Sequence, residues 1–248
     1  MTLPSCAPFS FVGPSLAEGA LPALFYFALS AEESLHTDPF NQPVKALATL
    51  PLRIFSLDLP WHGKDLPATE ALKGWAEELE KKNTFFDTFL YQVVQGIEDL
   101  RSNRILIPEK TALCGLSRGA FVATHVAAHI PWIPFLLGFA PLTKLSQAKE
   151  FHHSKHTSTI ESLNLIHLLE RLAEKTVRFY IGNHDTRVGT AECFHFIHAL
   201  TEAAYAKKIR SPQIELFLKP SIGHQGHGTS PEVFQEGALW LASKLGLL

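Results

Sequence analysis

A serine, an aspartate and a histidine that could act together each follow an apolar run of the chain. Ser117 lies in Gly115-Leu116-Ser117-Arg118-Gly119, Asp185 follows residues 177–181, and His224 follows residues 213–218. A serine hydroxyl is a weak nucleophile until a base removes its proton, and the base needs an anionic partner that fixes its tautomer. The pattern predicts Ser117 as nucleophile, His224 as general base and Asp185 as the acid that orients the base.

The serine motif lies where a predicted strand gives way to a predicted helix. β-Branched and apolar residues precede it at 111–114, and a helix-length segment follows from Ala120 and stops before Pro131. Gly115 and Gly119 leave room for a sharp turn because they carry no Cβ. Unpaired N–H groups at the start of the helix favour negative charge beside the serine oxygen. This context favours a nucleophile over an ordinary turn serine.

Two of the three assignments have alternatives in the sequence. Asp185 could instead cap a helix or pair with Arg187, but its place after a buried strand favours the acid role. His227, in Gly226-His227-Gly228, is the rival of His224. We prefer His224 because it comes sooner after the strand and follows a glycine.

Apolar strands alternate with helices along the whole chain. This alternation predicts an α/β class, with a mostly parallel sheet covered by helices on both faces, and the chain shows no repeat or linker, so we predict a single domain over residues 1–248. Residues 30–35 are predicted to be a loop. The predicted strands are 9–12, 23–29, 53–57, 111–114, 134–139, 177–181 and 213–218, and further helices are predicted at 69–82, 85–102, 190–207 and 231–245.

Composition argues against several classes of protein. The 248 residues are 46% hydrophobic and 19% charged with a net charge of −2, which fits a globular protein and gives no basic stripe for nucleic acid. The cysteines are too widely spaced for a disulfide framework or a thiolate zinc site, and the short apolar runs are interrupted by prolines, so we expect a cytoplasmic protein without membrane association. Histidines 125, 129, 152, 153 and 156 lack neighbouring acidic or thiolate ligands. We therefore expect no metal and no cofactor.

The serine motif, the segment Gly182-Asn183-His184-Asp185-Thr186-Arg187-Val188 and the terminal Gly223-His224 together resemble the motifs of α/β-hydrolases. Asp58-x-Pro60-x-His62-Gly63 is similar to the D-x-P-G-x-G loop of that fold. The resemblance covers nearly the whole chain and implies an α/β-hydrolase fold with a small cap at residues 143–175. It also implies an oxyanion hole from the backbone N–H of Arg118 and that of Ala31, with Ser30 as the alternative, where many members carry a His-Gly pair.

The resemblance implies acyl transfer to water, and we expect a serine hydrolase that cleaves a small carboxylic ester through an acyl-enzyme. Ser30, Trp61 and Phe139 are predicted to contact the substrate. The Arg118 side chain would either bind a substrate carboxylate or brace the site through Glu32 or Glu33.

Two alternatives remain open. The motifs are also similar to those of prolyl-oligopeptidase-type enzymes, which favours an amidase or peptidase. The missing His-Gly pair favours a binding protein without catalysis. The expected partner is a small-molecule ester or amide, and the sequence does not indicate an oligomeric state.

Overall fold

One seven-stranded sheet forms the centre of the protein in a computed structural model that describes residues 9–63, 66–81 and 84–248. The strand order is β1-β3-β2-β4-β5-β6-β7. β1 is antiparallel to β3, and every other neighbouring pair is parallel, which confirms the predicted mostly parallel sheet. The strands are β1 (Ser10–Val12), β2 (Leu21–Phe27), β3 (Arg53–Ser56), β4 (Leu106–Leu116), β5 (Phe135–Phe139), β6 (Thr176–Gly182) and β7 (Ile214–Lys219).

The central strands are buried on both faces, as their unbroken apolar sequences predict. In β2, Phe25 and Phe27 belong to one apolar cluster, whereas Leu24 and Tyr26 belong to another. Successive side chains of a strand point to opposite faces, so the two clusters lie on opposite sides of the sheet. Helices cover both clusters, and the polar carboxyl ends of the strands are left for the site.

The helices of the described residues include one short helix where a loop was predicted. Residues 30–35 were predicted to be a loop, and that prediction is wrong: helix α1 begins at Ala31. Ser30 caps it, because its Oγ accepts the Glu33 N–H while the Glu33 carboxylate accepts the Ser30 N–H. The helices are α1 (Ala31–His36), α2 (Gln42–Leu47), α3 (Ala71–Glu80), α4 (Phe85–Ser102), α5 (Arg118–His129), α6 (Thr157–Ser162), α7 (Leu169–Leu172), α8 (Thr190–Ala206) and α9 (Pro231–Lys244).

The segment between β5 and β6, where the cap was predicted, contains α6, α7 and three 3-10 turns. This segment buries Phe151, Ile160 and Leu165 in the apolar cluster that also contains the buried side chains of α4 and α5. The segment is therefore packed onto the main body by its own apolar side chains.

The thiols of Cys114 and Cys193 are buried and free. Cys6 and residue 82, the last residue of a predicted helix, lie outside the described residues. None of the helices in the described ranges has the length and apolarity that crossing a membrane requires.

Candidate active site

Ser117 stands at a strained turn between β4 and α5. Its backbone has φ 57° and ψ −118°, a conformation that a residue with a side chain rarely adopts. A Cβ on Gly115 would lie 2.4 Å from the Ala120 nitrogen, and a Cβ on Gly119 would lie 1.9 Å from the Phe27 carbonyl oxygen. Only glycine fits at both positions, because the first turn of α5 lies against Gly115 and because Gly119 lies against the end of β2.

A histidine joins Ser117 to Asp185, and it is His227. Its Nε2 lies 2.9 Å from Ser117 Oγ, and its Nδ1 lies 2.7 Å from Asp185 Oδ2. A carboxylate only accepts hydrogen bonds, so Nδ1 carries the ring proton and Nε2 is free to accept from the serine hydroxyl. The three side chains thus form a continuous hydrogen-bonded chain at the carboxyl ends of β4, β6 and β7.

Asp185 is held rigidly in the loop after β6. The residue is 3% exposed, and its Oδ1 accepts the backbone N–H groups of Arg187 at 2.9 Å and Val188 at 3.1 Å. Its own N–H donates to Thr190 Oγ1. One carboxylate oxygen is therefore committed to the loop, and the other is presented to His227.

The structure corrects the assignment of the histidine, because His224 is exposed at the tip of the loop after β7. The N–H of Gly228 donates to the Ile222 carbonyl at 2.7 Å, which closes a turn over residues 223–227, and His227 lies where the chain returns. Gly226 has φ +73°, and a Cβ there would lie 2.2 Å from the His184 carbonyl oxygen. The glycines that flank His227 were the available signal, since they mark a close backbone approach.

The backbone N–H groups of residues 28–31, directly after β2, each have an acceptor. Those of Ala28 and Leu29 donate to Ser34 Oγ, and that of Ser30 donates to Glu33 Oε2 at 3.2 Å. The N–H of Ala31, the predicted second oxyanion donor, donates to Asp58 Oδ1 at 2.7 Å and is therefore occupied in this structure. The N–H of Arg118, at the start of α5, makes no hydrogen bond to a described residue.

Two of the three predicted substrate contacts are taken up by structural roles. Ser30 is buried, and its hydroxyl donates to Glu33 Oε2 at 2.7 Å. Phe139 is fully buried on the α9 side of the sheet and stacks on Tyr180, so it does not line the site. Trp61 remains available: it is 39% exposed, has φ 62° and lies over Gly74.

The Arg118 side chain extends from the turn at Ser117 to the loop after β3. Its Nη1 donates to the Ala68 carbonyl at 2.7 Å and lies 3.3 Å from His62 Nε2. His62 Nδ1 lies 3.0 Å from the Pro60 carbonyl, so Nδ1 carries the proton and Nε2 accepts from Arg118. Burial, and then the Arg118 charge, lower the pKa of His62 to about 4, which keeps this ring neutral at physiological pH.

An ion pair that sequence reasoning missed links the segment between β5 and β6 to the Asp185 loop. Arg187 donates through Nη1 and Nη2 to the two carboxylate oxygens of Glu150, at 2.8 and 2.7 Å. Both side chains are largely buried. The partners are 37 residues apart, so no local pattern indicated the pair.

The histidines that were weighed as metal ligands on α5 contact backbone carbonyls. His125 Nε2 lies 2.9 Å from the Leu163 carbonyl, and His129 Nδ1 lies 2.8 Å from the His125 carbonyl. Within the described ranges, no group of three or more histidine, cysteine or acidic side chains is arranged to hold a metal ion.

Comparison with known proteins gives structural likenesses without sequence matches. No protein-family model matches the chain, and no curated protein matches it. The structure of TT1662 from Thermus thermophilus has a TM-score of 0.69 at 17% identity, covering 96% of this chain and 93% of that one. S-formylglutathione hydrolase from Agrobacterium tumefaciens has a TM-score of 0.57 at 15% identity, covering 96% and 90%. Prolyl oligopeptidase B from Galerina marginata has a TM-score of 0.63 at 15% identity, covering 93% and 33%.

These likenesses, together with the seven-stranded sheet and the strained turn at Ser117, define the fold: the chain has the α/β-hydrolase fold. The predicted fold is thereby confirmed. The solved structures that share it include hydrolases of esterase and peptidase types, and the chain spans about a third of the length of the prolyl oligopeptidase.

Proposed function

We propose that the protein is a serine hydrolase that cleaves small carboxylic esters through an acyl-enzyme intermediate. The observation that carries the proposal is the continuous hydrogen-bonded chain from Ser117 through His227 to Asp185. Side chains from three separate loops meet with the spacing and order that nucleophile activation requires.

In the first half of the proposed reaction, His227 Nε2 takes the hydroxyl proton as Ser117 Oγ bonds to the ester carbonyl carbon. The carbonyl π electrons move to its oxygen, and the imidazolium that forms is stabilised by Asp185. When the tetrahedral intermediate collapses, the bond to the alcohol oxygen breaks and His227 gives its proton to that oxygen. Water then attacks the acyl-serine with His227 again as base, releasing the acid and restoring Ser117.

The oxyanion would be stabilised by the N–H of Arg118 and by the positive end of α5. A second donor from Ser30 or Ala31 is available only if the oxyanion displaces the Glu33 or Asp58 carboxylate that accepts it in the free protein. This competition favours activated esters over amides, because an amide needs more stabilisation of the tetrahedral intermediate.

A peptidase or amidase is the second candidate, and the likeness to prolyl oligopeptidase favours it. The occupied N–H groups after β2 favour the third possibility, a binding protein on this scaffold. The three are separated by reactivity at Ser117.

Labelling with a fluorophosphonate probe tests the proposal. We expect labelling of the wild-type protein and its loss in Ser117→Ala, with Ser102→Ala, an exposed serine at the end of α4, as the matched control. Turnover of p-nitrophenyl esters but not of peptide p-nitroanilides would assign the esterase, and the reverse would assign the peptidase. If the folded wild-type protein is not labelled, the hydrolase proposal fails.

A further inference from the structure

The Arg118 guanidinium has no carboxylate partner within 4 Å among the described residues. The expected brace through Glu32 or Glu33 is not formed, since no salt bridge joins Arg118 to either residue. Only Nη1 is engaged, by Ala68 and His62. Among the described residues, Nε is buried without a hydrogen-bond partner and Nη2 makes no hydrogen bond. Arg118 is partly buried, and a shielded guanidinium group without an anionic partner is costly.

The neighbouring charges do not neutralise Arg118. Burial and the nearby Arg187 lower the pKa of Arg118 to about 10, whereas Glu150 and Glu33 act in the opposite direction. Glu150 is already bound by both nitrogens of Arg187, and Glu33 caps α1 through Ser30. His62 accepts from Arg118 as a neutral ring and adds no negative charge.

Two anchors hold the guanidinium in place. The Ala68 carbonyl and His62 Nε2 fix Nη1, and His62 is itself fixed by the Pro60 carbonyl. Arg118 directly follows Ser117, so its side chain starts about 3.8 Å, one Cα spacing, from that of the nucleophile. A fixed cation on the residue that follows the nucleophile, with Nη2 unpaired among the described residues, is suited to recognise an anion attached to the acyl group.

We propose that Arg118 selects substrates whose acyl group carries a carboxylate, so that half-esters of short dicarboxylic acids are preferred to neutral esters. The inference rests on the proposed function and names its substrate class. A carboxylate would supply the anionic partner that Arg118 lacks among the described residues, and its hydrogen bonds would be charge-assisted.

The test compares two ethyl esters of the same shape. Monoethyl succinate carries a carboxylate where ethyl 4-methylpentanoate carries a branched pair of methyl groups, and ethanol release gives kcat/KM for each. We expect the wild-type protein to prefer monoethyl succinate by at least about tenfold, and Arg118→Met to lower the ratio of the two kcat/KM values by about 10- to 100-fold. Arg118→Lys should recover part of the ratio because it keeps the charge without the planar fork.

Arg210→Met is the matched control, because Arg210 is exposed and far along the chain in the loop before β7. It should leave the ratio unchanged. Calorimetry of succinate with Ser117→Ala gives a readout without turnover and without altering Arg118, and we expect binding that weakens as sodium chloride is raised.

The outcomes separate this inference from the proposed function. Suppose that the probe labels Ser117 but kcat/KM is equal for the two esters. The carboxylate preference is then overturned and the hydrolase stays in place. The same conclusion follows if the probe labels Ser117 and the ratio falls equally in Arg118→Met and Arg210→Met. Succinate binding by a protein that the probe does not label supports the anion site and refutes the hydrolase. Absence of succinate binding to folded Ser117→Ala also overturns the inference.

Discussion

Replacing His227 with glutamine tests the hydrogen-bonded chain most directly. Glutamine can still form hydrogen bonds, but it cannot take the Ser117 proton at neutral pH. The change removes the base that lies 2.9 Å from Ser117 Oγ and leaves Asp185 with the backbone N–H groups of Arg187 and Val188, so the fold should persist.

Loss of the base costs about 10⁴- to 10⁶-fold in kcat/KM in serine hydrolases of the same geometry, or about 5.6–8.4 kcal/mol at about 1.4 kcal/mol per tenfold. We expect a loss in this range for His227→Gln, measured with p-nitrophenyl acetate. The second-order rate of fluorophosphonate labelling should fall in parallel, because both reactions need the activated serine.

His224→Gln is the control for the same measurement. His224 is exposed and lies three positions earlier in the same loop, so the substitution should change kcat/KM by less than about threefold. The reasoning would be refuted if His227→Gln kept more than about a tenth of the activity with an intact circular dichroism spectrum. It would equally be refuted if the losses of the two variants were the same.

Two further predictions concern the frame of the site. Gly119→Ala should lower the free energy of unfolding by more than about 3 kcal/mol or prevent folding, because the added Cβ would lie 1.9 Å from the Phe27 carbonyl oxygen. Urea denaturation measures this free energy, and a change below about 1 kcal/mol would contradict the close approach. Lys175→Met should lower the free energy of unfolding by about 2–4 kcal/mol, because the buried Nζ donates to the carbonyls of Ile130, Pro131 and Ile133. An unchanged urea midpoint would show that these three hydrogen bonds do not stabilise the fold.

The order of elements could be predicted from sequence because it depends on local patterns. Runs such as Leu21–Phe27 are apolar on both faces, and Gly115 and Gly119 flank a serine between a strand and a helix. The capping box at Ser30 and Glu33 was also a local signal, and reading it would have placed α1.

The direction of side chains at the strand ends could not be predicted in the same way. Phe139 and Leu136 are both apolar residues of β5, but they belong to clusters on opposite faces. Which face meets α9 depends on the register between β5 and its neighbours, and this register is fixed by long-range pairing. The same holds for Arg118, whose partners come from a loop more than 40 residues earlier.

The sequence by itself determined the alternation of strands and helices, the turn at Ser117 and the position of Asp185 after its strand, because each depends on residues next to one another. Only the tertiary structure decided that His227, rather than His224, meets them. The loop after β7 is shaped by contacts with a loop about 40 residues earlier in the chain: the Thr186 N–H donates to the Gln225 carbonyl, and Gly226 lies against the His184 carbonyl. The choice between two histidines three residues apart therefore depends on how two distant loops pack together.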